Sequence, residues 1–322
     1  MKSIGGYFDL ELTSKSQAYH VNAIALNTAR NAFEYVLTTK KTKKVYLPYF
    51  TCEVMLEPVR KLNIPIYFYS IDENLEPVFD FNVIEEEDAF LYTNYFGLKN
   101  KYVEYLSSTL KQLIVDNAQA FFTKPFNNEP AIYSARKFFG VSDGAYLYTN
   151  VKSASVFDRD LSYSRMSHLL IRKDVSAEDG YKDFVENDRS LENNEVKHMS
   201  NLTSAILESL DYDHIAKKRI DNYTFLDSAL NESNLFKFEL KNTYVPMLYP
   251  YWTKDMDLKK RLLSNRIYCP TYWPNVKQWC EPGSLEYKFT DEVVYLPTDQ
   301  RYGEKEMKVI LDIIFGNYEY TR

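Results

Sequence analysis

Between Val21 and Asn150 the chain repeats one short pattern, a run of apolar or aromatic residues followed by a stretch whose apolar residues recur at helical spacing. Six runs stand out: Val45-Tyr-Leu, Ile66-Tyr-Phe-Tyr, Ala89-Phe-Leu-Tyr, Leu113-Ile-Val, Ala131-Ile-Tyr and Ala145-Tyr-Leu-Tyr. Runs of that length read as buried strands, and helices are expected over 29–37, 53–62 and 101–111. Strands that alternate with helices build a largely parallel sheet with helices on its faces, so the expected class is α/β.

The pattern changes beyond residue 153, where the chain is polar, rich in charge and helical in period as far as 230. Ile220, Tyr223, Leu226 and Leu230 there share one helix face. Farther on, a strand is expected over 244–249, a helix over 254–265, a strand over 293–296 and a last helix over 304–315, stopped at Gly316. The expected organisation is an N-terminal arm over 1–20, a large α/β domain with a helical layer over 21–230, and a small α+β domain over 231–322.

Several function classes are excluded by composition. A formal net charge of -6 with no basic block argues against nucleic acid. Cys52, Cys269 and Cys280 are too few and too scattered for a disulfide framework, and His20, His168, His198 and His214 lack metal-ligand spacing, so no metal site is expected. The first ten residues lack the apolar core of a signal peptide, and no apolar run approaches the ~20 residues of a membrane helix, so a cytoplasmic protein is expected.

Two of the predicted strands end on groups of complementary chemistry. Asp116 closes Leu113-Ile-Val-Asp, and Lys137 follows 21 residues later, just past Ala131-Ile-Tyr-Ser. A carboxylate and a primary amine then leave the sheet at its carboxyl edge, where open α/β sheets take ligands. Pyridoxal phosphate needs that pair: the amine condenses with its aldehyde while the carboxylate holds a proton on its pyridine nitrogen. Either residue alone reads as a turn acid or a solvated lysine, and only the combination is informative. Gln119 is a candidate contact for the ring hydroxyl and Ser134 for the phosphate, unless both are turn residues. Upstream, Asn27-Thr-Ala-Arg leads from an apolar stretch into a helix. Its start offers the Thr28 hydroxyl, the Ala29 and Arg30 amides and the Arg30 guanidinium to an anion, although taken alone it is an ordinary capped helix.

Read together, these segments resemble the DegT/StrS family of sugar aminotransferases, pyridoxal-phosphate enzymes of fold type I, over most of the chain. Val115-Asp-Asn-Ala-Gln resembles the family's Glu-Asp-Ala-Ala-Gln, and Lys137-Phe-Phe-Gly-Val-Ser-Asp-Gly-Ala resembles its Lys-x-x-x-x-Gly-Glu-Gly-Gly. Ala25-Leu-Asn-Thr-Ala-Arg, Leu47-Pro-Tyr-Phe-Thr-Cys, Asn94-Tyr-Phe-Gly, His198-Met-Ser and Leu296-Pro-Thr-Asp follow in the family's order. The resemblance implies that Lys137 forms the Schiff base, Asp116 pairs with the pyridine nitrogen, Gln119 touches the ring oxygen, and Thr28, Ala29, Arg30 and Ser134 hold the phosphate. It further implies a homodimer with shared active sites, an amino-acid donor, usually glutamate, and a nucleotide-linked keto sugar as acceptor, in polysaccharide (for example O-antigen) or other glycoconjugate synthesis. Burial of Lys137 would lower its pKa and suit it to shuttle a proton.

Departures from the family pattern fall on neighbouring positions. Cys52 stands where the family stacks an aromatic on the cofactor, Ala29 replaces a glycine, and His198 replaces an arginine, so substrate contacts are assigned only to Tyr95 and His198. Arg165, His168 and Lys173 could reach a nucleotide diphosphate from their helical segment, though a solvated helix face is the simpler reading. A second reading from another class is a catalytically altered homologue that serves as a binding or regulatory protein.

Overall fold

The structure, a computed structural model, describes residues 4–14, 17–241 and 243–317. The first residues of the expected arm and the last ones of the expected C-terminal domain lie outside that range.

Eight strands form the main sheet: β1 (Ile24–Leu26), β2 (Lys44–Pro48), β3 (Ile66–Ile71), β4 (Pro77–Val78), β5 (Asp88–Thr93), β6 (Leu113–Asp116), β7 (Ala131–Ser134) and β8 (Ala145–Tyr148). Their order is β1-β8-β7-β6-β5-β2-β3-β4. The run β7-β6-β5-β2-β3 is parallel, whereas β8 is antiparallel to β7 and β1, and β4 to β3. A second sheet pairs β9 (Leu248–Trp252) with β10 (Val293–Pro297) in antiparallel register. The helices are α1 (Ala29–Lys40), α2 (Leu56–Lys61), α3 (Asn100–Thr109), α4 (Ser167–Asp174), α5 (Tyr181–Ser190), α6 (Asn201–Glu208), α7 (Tyr212–Leu230), α8 (Leu258–Ser264), α9 (Val276–Trp279), α10 (Leu285–Glu292) and α11 (Glu304–Phe315). No helix among the described residues is long and apolar enough to cross a membrane.

Successive strand residues divide between two cores, as the two-residue period of a strand demands. Val45, Leu47, Ala89, Leu91, Ile114, Ile132, Ala145 and Leu147 face α1 and α2, where small aliphatic side chains let the helices lie close to the sheet. Tyr46, Phe90, Tyr92, Tyr133 and Tyr146 face the other way, into a core continuous with β9, β10, α7, α8 and α11. Much of the chain's load of 28 Tyr and 20 Phe therefore fills one face of the sheet, bridging it to the C-terminal elements.

All six apolar runs are strands, and α11 ends at Gly316 with a left-handed φ of 74°. Differences lie where the local pattern is weak. The strand expected over 244–249 begins at Leu248, because the backbone amide of Met247 is spent on the Phe96 carbonyl at 2.9 Å. The helix expected over 254–265 starts at Leu258, and that over 53–62 opens as a 3-10 turn, Glu53–Met55. Strands β1 and β4 and helices α9 and α10 are too short to show a period.

Candidate active site

Asp116 and Lys137 leave neighbouring parallel strands at the same edge. Asp116 is the last residue of β6, flanked by Thr93 of β5 and Ile132 of β7 in register. Lys137 ends the 3-10 turn Ala135–Lys137 that directly follows β7. The Asp116 side chain is buried, with the residue 6% exposed, and Oδ1 accepts a hydrogen bond from the Ala118 amide at 2.9 Å. Burial pushes its pKa up to about 6, against the opposing pull of the Ala118 amide and the Lys137 charge. The two groups are thus within electrostatic reach. Lys137 itself is exposed, not buried as the sequence led us to expect, and its amine makes no hydrogen bond or ion pair among the described residues.

Cys52, ahead of the turn Glu53–Met55, joins this group. Its thiol is raised by burial, lowered by the charges of Lys137 and Arg30 and raised by Asp116, which places it among all three. Thr93 is a member that sequence reasoning missed: its buried hydroxyl lies close enough to Asp116 to favour the ionised carboxylate, yet makes no well-formed hydrogen bond among the described residues. The signal was available, since Thr93 ends an apolar run as Asp116 does.

The start of α1 stands next to this edge. Thr28 is its N-cap, accepting from the Asn31 amide at 3.1 Å and donating to Asn31 Oδ1 at 2.6 Å. The backbone amides of Ala29 and Arg30 have no partner among the described residues, as expected for the first turn of a helix. The Arg30 guanidinium, in contrast, is committed to Glu57 of α2 at 2.5 Å, and Glu57 also accepts from the Asn193 amide at 2.8 Å. The Ser134 hydroxyl, at the end of β7, makes no hydrogen bond among the described residues.

The other candidates are placed differently. Gln119 is buried, and its Oε1 accepts from the Phe96 amide at 3.0 Å, which leaves its amide nitrogen without a hydrogen bond among the described residues. Tyr95 is wholly buried with its phenol donated to the Phe50 carbonyl at 2.9 Å, so it offers no surface to a ligand. His198 packs beside β1, its Nδ1 3.4 Å from the Ala25 carbonyl and its ring edge-on to Phe157. Neither lines the cleft described next.

That cleft, of about 1030 Å³, opens between the Lys137 turn, the α4–α5 hairpin and the turn after β10. Arg136, Lys137, Arg172, Lys173, Arg219 and Arg301 line it, against only Glu178 and Asp299, so a protein of net charge -6 carries one positive hollow. Aromatic side chains of Tyr181, Phe184 and Tyr268 complete the wall. His168 also lines it, buried and with Nδ1 unpartnered among the described residues, its pKa lowered by burial and the nearby Arg136 charge. Of the cleft's arginines, Arg136 pairs with Asp188 at 2.9 Å and Arg301 with Asp299 at 2.7 Å, and Arg165, which does not line the cleft, pairs with Asp160 at 2.6 Å.

The Ser142-Asp143-Gly144 turn fastens the edge from below. Asp143 is fully buried and accepts from the Ser200 amide at 2.9 Å, the Ser200 hydroxyl at 2.8 Å and the Thr203 hydroxyl, at the start of α6. Gly144 has φ 112° and donates its amide to the Asn27 carbonyl at 2.6 Å. A Cβ there would lie 2.9 Å from Thr203 Cγ2, so only glycine fits.

No family profile and no curated protein matches the sequence. Solved structures do match in fold. A DegT/DnrJ/EryC1/StrS aminotransferase from Brucella abortus shares 16% identity over 92% of this chain and 86% of its own, with a TM-score of 0.60. The sugar aminotransferase CalS13 from Micromonospora echinospora shares 14% identity over 92% and 88%, with a TM-score of 0.61. The ntda protein of Bacillus subtilis, solved with bound cofactor PMP, shares 14% over 91% and 72%, with a TM-score of 0.57. The chain has the fold of these aminotransferases, that of pyridoxal-phosphate enzymes of fold type I.

Proposed function

We propose that this protein is a pyridoxal-phosphate-dependent aminotransferase that moves an amino group from an amino acid, glutamate by resemblance, onto a nucleotide-linked keto sugar. The observation that carries the reading is the pairing of Asp116 and Lys137 at the ends of adjacent parallel strands, on a fold shared with sugar aminotransferases. The residues present suit the cofactor. Asp116 would gain the cation that its buried carboxylate lacks, Thr93 offers an unused hydroxyl, and the Ala29 and Arg30 amides with the Ser134 hydroxyl offer donors to a phosphate.

When bound, pyridoxal phosphate supplies an electron sink for the substrate carbon. Asp116, held in place by the Ala118 amide, would keep a proton on the cofactor's ring nitrogen. Lys137 Nζ would carry a proton to and from the substrate carbon. Arg136, Arg172 and Lys173 would draw the anionic acceptor into the cleft, and Tyr181, Phe184 and Tyr268 would flank a planar base. The same reading includes a cytoplasmic homodimer acting in polysaccharide or glycoconjugate synthesis.

The test is spectroscopic. Purified protein with pyridoxal phosphate should show a yellow band that shifts on adding glutamate, and Lys137→Ala should lose the band while remaining folded. A band that survives in Lys137→Ala refutes the assignment. The Arg30–Glu57 pair and the exposed Lys137 favour one other reading, a binding or regulatory protein on the same scaffold. That reading requires wild-type protein that stays inert to glutamate and to a panel of keto sugar nucleotides.

A further inference from the structure

Lys137 is not held by its own side chain, so something else must set where its amine stands. The turn that carries it is anchored upstream by the Ala135 amide on the Gly144 carbonyl at 3.0 Å. Downstream, the Phe138 carbonyl accepts no backbone amide among the described residues. It accepts instead from Gln300 Nε2 at 2.8 Å and from Arg219 Nη2 at 3.4 Å, while Arg219 Nε donates to Gln300 Oε1 at 2.9 Å. Three groups thus close one ring of hydrogen bonds on the residue after the lysine.

Arg219, on α7, is 1% exposed and has no carboxylate at bonding distance among the described residues. Its Nη1 reaches the Met247 carbonyl at 2.9 Å and the Pro246 carbonyl at 3.4 Å, and its guanidinium carbon lies 4.5 Å from the centre of the Phe138 ring. A buried cation costs the fold free energy unless its donors are used, and here they are spent on joining three separate segments at the Lys137 turn. Those segments are the turn itself, the entry to β9 and the turn after β10.

We propose that Arg219 and Gln300, which border the cleft but spend their polar groups on each other and on backbone carbonyls, are positioning residues that fix the orientation of Lys137 through the Phe138 carbonyl. This rests on the function proposed above, in which Lys137 must meet one substrate carbon. Displacing a reacting group by about 1 Å costs on the order of 100-fold in rate, so a loosened turn is read in turnover before binding.

The test uses Gln300→Leu, which leaves Arg219 in place, and Arg219→Lys, which keeps the charge but not the fork. Both are compared with wild type, loaded with pyridoxal phosphate, by hydrogen exchange of the backbone amides from Phe138 to Val141, by the pH titration of the cofactor band, and by steady-state kinetics. The expected result is exchange at that turn faster by about 10-fold, a displaced pH midpoint of the band, and kcat down by about 10- to 100-fold with KM for the acceptor little changed. The proposal is overturned if both variants fold with wild-type exchange at the turn, or if exchange rises while band and kcat stay as in wild type, which is a structural role only. A wild-type protein that gives no cofactor band overturns the function reading, and the positioning role with it. A wild-type band with unaltered variants overturns this proposal alone.

Discussion

Replacing Asp116 by Asn should make the cofactor-free protein more stable above neutral pH, and unable to support turnover. The ordinary aspartate value of 3.8 is pushed up to about 6 by burial in the folded chain. At ~1.4 kcal/mol per tenfold change in proton affinity, keeping this carboxylate ionised costs the fold about 3 kcal/mol at high pH. The sign follows from proton counting. Between pH 3.8 and about 6 the folded chain holds a proton that the unfolded chain has released, so the contribution is fully present below 3.8 and is lost as pH rises through about 6. Asn removes the charge and keeps Oδ1 for the Ala118 amide, while its new amide donor stands beside the unpartnered Thr93 hydroxyl. Urea unfolding of apo wild type and Asp116→Asn, with glutamate turnover assayed in parallel, checks this. The variant should gain up to about 3 kcal/mol near pH 8 and about nothing near pH 4. Because every other titrating group is common to both proteins, the difference isolates this carboxyl. A gain equal at the two pH values, or a loss at pH 8, refutes the reasoning. Added pyridoxal phosphate should stabilise wild type far more than the variant, because only wild type can answer the ring cation with a charge.

Three more outcomes are expected. Gly144→Ala should destabilise the fold by about 2 kcal/mol or more in urea unfolding, through left-handed strain and collision with Thr203. His20 is buried between the Phe121 carbonyl and the Tyr148 hydroxyl, and burial lowers its pKa to about 3 from an ordinary 6.5. Its stabilisation is present above 6.5 and is lost as pH falls, by about 2 kcal/mol at pH 5, and a His20→Gln variant should show a shallower acid limb in urea titrations. Charge reversal of Arg172 and Lys173 to Glu should weaken binding of a nucleoside diphosphate by calorimetry at least about 10-fold and flatten its salt dependence, with the fold intact because both side chains are exposed. Unchanged binding would place the acceptor elsewhere.

Elements whose signal is local were legible in the sequence. The six strands are continuous apolar runs because the sheet is buried on both faces, and α11 carries both its apolar stripe and its terminal glycine within its own span. The edge position of Asp116 and Lys137 follows from the same signal, since a strand's end is marked by where its run stops. Short elements such as β1 and α9 carry too few residues for a period, and β9 starts late because Met247 bonds outside its own strand.

By itself, then, the order of residues determined an α/β sheet and the two groups at its carboxyl edge, because alternation of side chains and the ends of runs are written in neighbouring residues. What surrounds those groups was decided only by the tertiary structure. Arg30 meets Glu57 27 residues away, Asp143 clasps α6 57 residues on, and Phe138 is held by Arg219 and Gln300 from 81 and 162 residues away. Lys137 stands exposed at a cleft built by the α4–α5 hairpin. Such pairings depend on how layers pack, since a charge or carbonyl takes whichever partner the folded chain brings within about 3 Å, and sequence spacing does not record that distance.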